Sequence, residues 1–234
     1  MTENRIIVAL DVDSADAARS LVARLGKHVN FYKVGMELYA AAGMDMVREL
    51  VDEGKDVFLD MKYFDIGETV RRAVRVASRS GARFLTVHGS SQVMRAAREG
   101  RGDSAMKILA VTVLTSFNQD DLTDMGYDRA MRDIIALRVS KAMEAGMDGL
   151  VCSPLDAAAA RAQAGPQAII VTPGVRSRDA ARGDQKRVAT PAEAIANGAS
   201  YVVMGRQITR AADPAAEAER VAEEIAATSL TRAR

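Results

Sequence analysis

The sequence is short of several things that mark whole classes of protein. It has one cysteine, Cys152, in 234 residues, which excludes an internal disulfide framework and any C-x-x-C zinc or redox motif. Charge of one sign is not in excess either, since 32 Lys plus Arg stand against 31 Asp plus Glu and leave a formal net charge of +1. A nucleic-acid binder that works by releasing counterions needs a basic surplus, and attraction to a membrane surface needs one too. No apolar run approaches the roughly 18 residues of a membrane-spanning helix. The first run, residues 6–10, meets Asp11 at once, which is not the form of a secretory leader. No G-x-G-x-x-G follows it, and no low-complexity segment interrupts the chain. The expectation is a protein of a reducing, cytoplasmic compartment with no nucleic-acid or membrane partner.

Against these absences stands a regular rhythm. Short apolar, β-rich runs fall at residues 6–10, 31–35, 57–62, 84–88, 108–114, 149–153, 168–172 and 201–205. Their mean spacing is about 28 residues, the length of one strand, one helix and two turns. The stretches between them read as helices. Ser14 can cap residues 15–25, where Ala18, Leu21, Val22 and Leu25 form one apolar stripe. Ile134, Leu137, Val139 and Met143 form another within residues 129–145, stopped by Gly146. Pro191 and Pro214 suit first helical turns, where a missing N–H costs little.

Strands alternating with helices imply a parallel sheet. Eight such units without a composition break favour an α/β fold of the (β/α)8 TIM-barrel type, a single domain over residues 1–234, with residues 228–234 expected to fray. An open doubly wound sheet is the competing architecture.

In a barrel of this kind the active site lies at the C-terminal ends of the strands, and several runs end there on charged or special residues. The first ends at Asp11, the second carries Lys33, and the third ends Phe58-Leu59-Asp60-Met61-Lys62. Strand alternation puts Phe58, Asp60 and Lys62 on one face. A structural ion pair on the barrel rim is the competing reading of that spacing. The arrival of Asp11, Lys33, Asp60 and Lys62 at one mouth favours a site that shifts proton affinities and aims fields. In the second half, Gly205-Arg206 ends the eighth run and leads towards a helix, a combination suited to phosphate. The seventh loop is long, from Pro173 through Arg176 to Gln185 and Arg187, with Gly183 as a hinge, and reads as a lid. His88 ends the fourth run and reads as a barrel residue before a general acid or base. Arg71, Arg72, Arg75, Arg79 and Arg83 read as a solvated helix face, because aromatic stacking partners are absent. Cys152 reads as a small buried hydrophobe.

Taken in order, Asp60-x-Lys62-x-x-Asp65 followed by Ile66 and Thr69 resembles the signature of the orotidine 5′-phosphate decarboxylase family. The likeness extends to Ile7-Val8-Ala9-Leu10-Asp11, Tyr32-Lys33-Val34-Gly35, Leu109 to Ser116, Val171-Thr172-Pro173-Gly174-Val175-Arg176, Asp184-Gln185-Lys186-Arg187 and Val203-Met204-Gly205-Arg206. The resemblance implies a homodimer of TIM barrels with active sites shared across the interface, acting on a nucleotide without metal or organic cofactor. It implies Lys62 as proton donor to ring C6, Asp60 beside the substrate carboxylate, and Lys33 holding Asp60 and a ribose hydroxyl. Asp65 and Thr69, with Ile66 between them, would come from the partner. Asp11 matches the ribose contact, Thr115 the pyrimidine-loop contact, and Gln185, Gly205 and Arg206 the phosphate grip, with Arg176 at the start of the closing loop. Phe64, Gly67 and Glu68 stand where many members carry His, Pro and Asn.

Two other functions compete. A related barrel decarboxylase that takes keto-sugar phosphates shares the Asp-x-Lys-x-x-Asp strand but needs Mg²⁺ with extra acidic ligands, and here Leu59 rather than a carboxylate precedes Asp60. A non-catalytic phosphate-binding barrel could keep Gly205 and Arg206 but would have no use for Lys62.

Overall fold

The computed structural model of the chain describes residues 5–177 and 189–231, with side chains described as far as residue 227. Eight parallel strands close into a barrel in sequence order. They are β1 (Ile6–Ala9), β2 (Phe31–Gly35), β3 (Asp56–Tyr63), β4 (Phe84–His88), β5 (Lys107–Val111), β6 (Gly149–Val151), β7 (Ile169–Thr172) and β8 (Tyr201–Met204). Helices α1 (Ala15–Leu25), α2 (Met36–Asp52), α3 (Gly67–Ala77), α4 (Ser91–Arg101), α5 (Gln119–Asp124), α6 (Met131–Glu144), α7 (Ala157–Ala164), α8 (Pro191–Ala196), α9 (Arg206–Thr209) and α10 (Pro214–Thr231) fill the connections. Closure is made by β8 lying beside β1, with Val202 opposite Ile6 and Met204 opposite Val8. The barrel leaves no strand edge unpaired. All eight expected runs are strands; β5 ends three residues early, at Val111.

Alternation sorts the strand residues between two cores. Ile7, Ala9, Phe31, Phe58, Phe84, Leu109, Val111, Val151, Val171, Tyr201 and Val203 form the barrel interior. Their neighbours, such as Val8, Val34, Leu59, Leu85 and Ile170, pack outward against the helices. The helices begin where short polar side chains can satisfy their first amides. Ser14 accepts from the Ala17 amide at the start of α1, whose expected stripe of Ala18, Leu21, Val22 and Leu25 is buried. Thr190 and Glu193 make a reciprocal capping box at α8 with Pro191 in its first turn.

Two expectations are corrected. α6 buries Ile134, Ile135, Val139 and Ala142, while Leu137 is 43% exposed. At 3.6 residues per turn Leu137 lies well off that face, and Arg138, which donates to the Thr112 carbonyl and to the Tyr127 hydroxyl, lies on it. Arg83 is not on a helix face. It precedes β4 at the barrel floor, where its guanidinium lies 5.3 Å from the Phe31 ring centroid and 5.5 Å from those of Phe84 and Tyr201. It also pairs with Asp56 at 2.8 Å and donates to the Tyr201 hydroxyl at 2.8 Å.

Candidate active site

The mouth of the barrel sits directly above this apolar interior. Phe31, Phe58 and Phe84 face inward, so Lys33, Asp60 and Thr86, two residues on in β2, β3 and β4, face inward one layer higher. The strand pairing staggers them, with Lys33 opposite Phe58 and Gly35 opposite Asp60, so Asp60 stands one pleat beyond Lys33. Lys33 is buried, and its ammonium lies 2.8 Å from Asp11 Oδ1 and 3.9 Å from Asp60 Oδ2. The same Asp60 oxygen lies 2.9 Å from Lys62 Nζ. Two ammonium groups and two carboxylates thus alternate in one network, as their positions at the strand ends suggest.

Lys62 reaches that network by an irregular route rather than by simple pleat alternation. The pairing of β3 with β4 shifts between Leu59 and Tyr63, and Lys62 has φ 49°, the only positive value at a non-glycine position among the described residues. Its amide donates to Thr86 Oγ1 at 2.9 Å. Thr86 Oγ1 in turn donates to Asp60 Oδ1 at 2.9 Å. Thr86 is fully buried, and it escapes a reading based on charged residues. The signal that finds it is the repeated spacing Phe31-x-Lys33, Phe58-x-Asp60, Phe84-x-Thr86. Gly35 makes room for the ammonium above it, since a Cβ there would lie 2.7 Å from Lys33 Nζ.

A cavity of about 240 Å³ opens beside this network. Asp11 and Lys33 line one end; Gly174, Arg176, Gly205 and Arg206 line the other. The Arg176 guanidinium is held below the ordinary arginine range, chiefly by burial and secondly by the like charge of Arg206. Two guanidiniums brought together in this way favour an anion between them. The seventh loop is pinned at its stem: Val175 bridges to Ala189 and the Arg176 amide donates to the Ala189 carbonyl at 3.0 Å. Ser177 is tied to α9 and α10, its amide donating to Gln207 Oε1 at 3.0 Å and its hydroxyl to Glu224 at 2.9 Å. Gln185, Gly183, Lys186 and Arg187 lie outside the described residues.

Other expected site residues are not brought into this network within one chain. Asp65, Ile66 and Thr69 are exposed beyond β3, and the Asp65 carboxylate accepts from the Ile66 amide at 2.6 Å. Thr115 is buried in the loop after β5. His88 faces a separate cavity of about 600 Å³ with Phe64, Arg138 and Lys141. Its ring centroid is 4.9 Å from that of Phe64. Burial first, and Arg138 second, hold its pKa below the usual histidine value, which suits a neutral packed ring. Cys152 is buried, as expected. Arg71 and Arg72 pair with Glu68 on the exposed face of α3. No helix among the described residues is long and apolar enough to cross a membrane.

Comparison with known proteins converges on one family. Residues 4–221 match the family described as Orotidine 5′-phosphate decarboxylase / HUMPS family. An orotidine 5′-phosphate decarboxylase of Rhodopseudomonas palustris (strain HaA2) is 54% identical over 223 residues, 95% of each chain. One from Caulobacter sp. (strain K31) is 51% identical over 222 residues, covering 95% of this chain and 97% of that one. The crystal structure of orotidine 5′-phosphate decarboxylase from Lactobacillus acidophilus superposes with a TM-score of 0.85 at 35% identity, over 95% of this chain and 99% of that one. With a charged mouth above a closed parallel barrel and this depth of similarity along almost its whole length, the chain belongs to the orotidine 5′-phosphate decarboxylase / HUMPS family.

Proposed function

We propose that the chain decarboxylates orotidine 5′-monophosphate to uridine 5′-monophosphate and carbon dioxide, with Lys62 as the proton donor, as a step of UMP biosynthesis in the cytoplasm. The observation that carries the reading is one cavity lined by Asp11 and Lys33 and by Arg176 and Arg206, with Lys33 joined through Asp60 to Lys62. It offers a nucleotide a cationic end for its phosphate and a charged network for its ring.

In the reaction the bond from C6 to the carboxylate breaks and its electron pair stays on C6, in the ring plane and outside the π system. Stabilisation of that pair must then be electrostatic. The Lys62 ammonium meets the charge as it develops, and one of its protons passes to C6; the amine recovers a proton from solvent. Asp60, 2.9 Å from Lys62 and hydrogen-bonded by Thr86, holds the ammonium in place and presents a negative charge to the substrate carboxylate. At an effective dielectric near 20 such a repulsion is worth a few kcal/mol at most. Lys33 bridges Asp11 and Asp60 and keeps both oriented towards the ribose side. Phosphate binding by Arg176, Gly205, Arg206 and Gln185, far from the reacting carbon, supplies binding energy that closure converts into rate. Thr115 contacts the pyrimidine.

Asp65, Ile66 and Thr69 complete the network in a second copy of the chain. This homodimer reading is supported by Phe64 and Ile66, which flank Asp65 and are 65% and 69% exposed in the single chain. Lys62→Ala and Asp65→Asn homodimers are each expected to be nearly inactive, while mixing them restores one intact site in each mixed dimer. No recovery on mixing would remove the shared-site arrangement.

The reaction itself is tested by following pyrimidine absorbance after adding orotidine 5′-monophosphate in excess EDTA, with Lys62→Ala as control. Rapid loss that disappears in the variant is the expected result. No loss, with turnover of a keto-sugar phosphate on adding Mg²⁺, would overturn it in favour of the other branch of the family.

A further inference from the structure

The two residues closest to the proposed chemistry are joined through one hydroxyl that carries no charge and attracts no attention in the sequence. We propose that Thr86 is a positioning residue, setting the Asp60 carboxylate and the Lys62 main chain relative to each other so that the ammonium reaches the reacting carbon; this rests on the reading of Lys62 as proton donor.

The direction of the two hydrogen bonds is fixed by elementary chemistry. The Lys62 amide can only donate, so Thr86 Oγ1 accepts from it at 2.9 Å. The one hydroxyl proton is then left for Asp60 Oδ1, also at 2.9 Å. With Oδ1 engaged, Oδ2 is the oxygen presented to Lys62 at 2.9 Å and to Lys33 at 3.9 Å. Thr86 is wholly buried between β3 and β5.

The backbone around Lys62 requires such a tie. Lys62 lies inside the register shift between β3 and β4 and has φ 49°, a left-handed conformation that a lysine adopts only when its surroundings hold it there. The contact from its amide to Thr86 bridges the stretch where the pairing of the two strands is interrupted. Removing the hydroxyl leaves a part-buried amide without its acceptor and a part-buried carboxylate oxygen without its donor, and both relax by moving Lys62.

The test compares Thr86→Val, which keeps the shape and removes the hydroxyl, with Thr86→Ser, which keeps the hydroxyl. Expected for Thr86→Val is a fall in kcat of about 100-fold, the order produced by a misplacement near 1 Å, with KM and the affinity for uridine 5′-monophosphate nearly unchanged. Thr86→Ser should recover most of kcat. Crystal structures of both variants give a readout that does not depend on the reaction: Lys62 leaves the left-handed region or loses its Asp60 contact in the valine variant and keeps both in the serine variant. An inactive wild type would defeat the decarboxylase reading, and those crystal structures would still decide the positioning role. Unchanged kcat in Thr86→Val with Lys62 in place, or serine behaving like valine, would overturn the proposal. Should Thr86→Val be insoluble, Thr86→Ala carries the same comparison.

Discussion

The two ends of this barrel use the same kinds of side chain for opposite purposes. At the floor, the half-buried Arg83 is fully engaged: Asp56 and the Tyr201 hydroxyl take its N–H groups, and its guanidinium lies against the rings of Phe31, Phe84 and Tyr201. At the mouth, Lys33 and Lys62 are held by Asp11 and Asp60, and Lys33 with Asp11 lines an open cavity. A cation engaged by rings, a carboxylate and a hydroxyl serves the fold. A cation held by carboxylates beside a cavity is oriented and still able to act on what enters. Charge alone therefore does not mark a functional residue; the distinction is what closes over it. The chain has five Phe, five Tyr and no Trp, and four of these rings, Phe31, Phe58, Phe84 and Tyr201, sit in the barrel interior, below the charged layer.

The difference can be broken or sharpened by substitution at each end. Phe84→Ala should cost the most, about 3–5 kcal/mol of unfolding free energy, because its ring packs against Phe31, Phe58 and Tyr201 at once. Urea unfolding measures the loss, and the protein that remains folded should bind nucleotide as before. A fall in affinity without a fall in stability would show that floor and mouth are not separable. Gly35→Ala should do the reverse. Its φ of −99° suits alanine, so stability should change by less than about 1 kcal/mol, yet the new methyl would displace the Lys33 ammonium. A loss of roughly tenfold in kcat/KM is expected, the order of a small misplacement.

The smallest effect concerns His88, beside the mouth and outside the charged network. Its folded pKa lies below the ordinary value of 6.5 because burial and then Arg138 disfavour the charged ring. As pH falls, the unfolded chain takes up the proton first, so the stability present above pH 6.5 is lost as pH drops through that value towards the lowered folded pKa. Urea midpoints at pH 7.5 and 5.5 should therefore differ less in His88→Gln than in the wild type. An equal difference in both would assign the acid sensitivity elsewhere.

Much of this was legible in the residues. The eight strands are short apolar runs bounded by polar turns, and burial on both faces of a parallel barrel leaves that pattern intact. Asp11, Lys33, Asp60 and Lys62 stood out because charges at the ends of otherwise apolar strands have few structural reasons to be there. Arg83 was hidden among neighbouring arginines, since the rings it lies against come from β2, β4 and β8 and meet only when the barrel closes. Thr86 was hidden because threonine is an ordinary strand residue. The left-handed turn at Lys62 carries no mark in the sequence, since no glycine stands there. The buried face of α6 has no clear mark in the sequence, since Leu137 and Met143 fit an apolar stripe nearly as well as Ile135 and Ala142.

The separation of chemistry from stability is tested most directly by measuring two variants side by side, Lys62→Ala and Arg83→Met, each for turnover of orotidine 5′-monophosphate and for urea unfolding. Lys62→Ala should lower turnover by roughly 10⁴-fold or more, since in the proposed mechanism it removes both the proton donor and the charge that meets the developing anion, while its unfolding free energy moves by less than about 1 kcal/mol. Arg83→Met should lose about 0.5–1.5 kcal/mol through its hydrogen bonds to Asp56 and Tyr201 and keep turnover in the folded fraction. Appreciable turnover by Lys62→Ala, or an equal loss of both properties in both variants, would contradict the account.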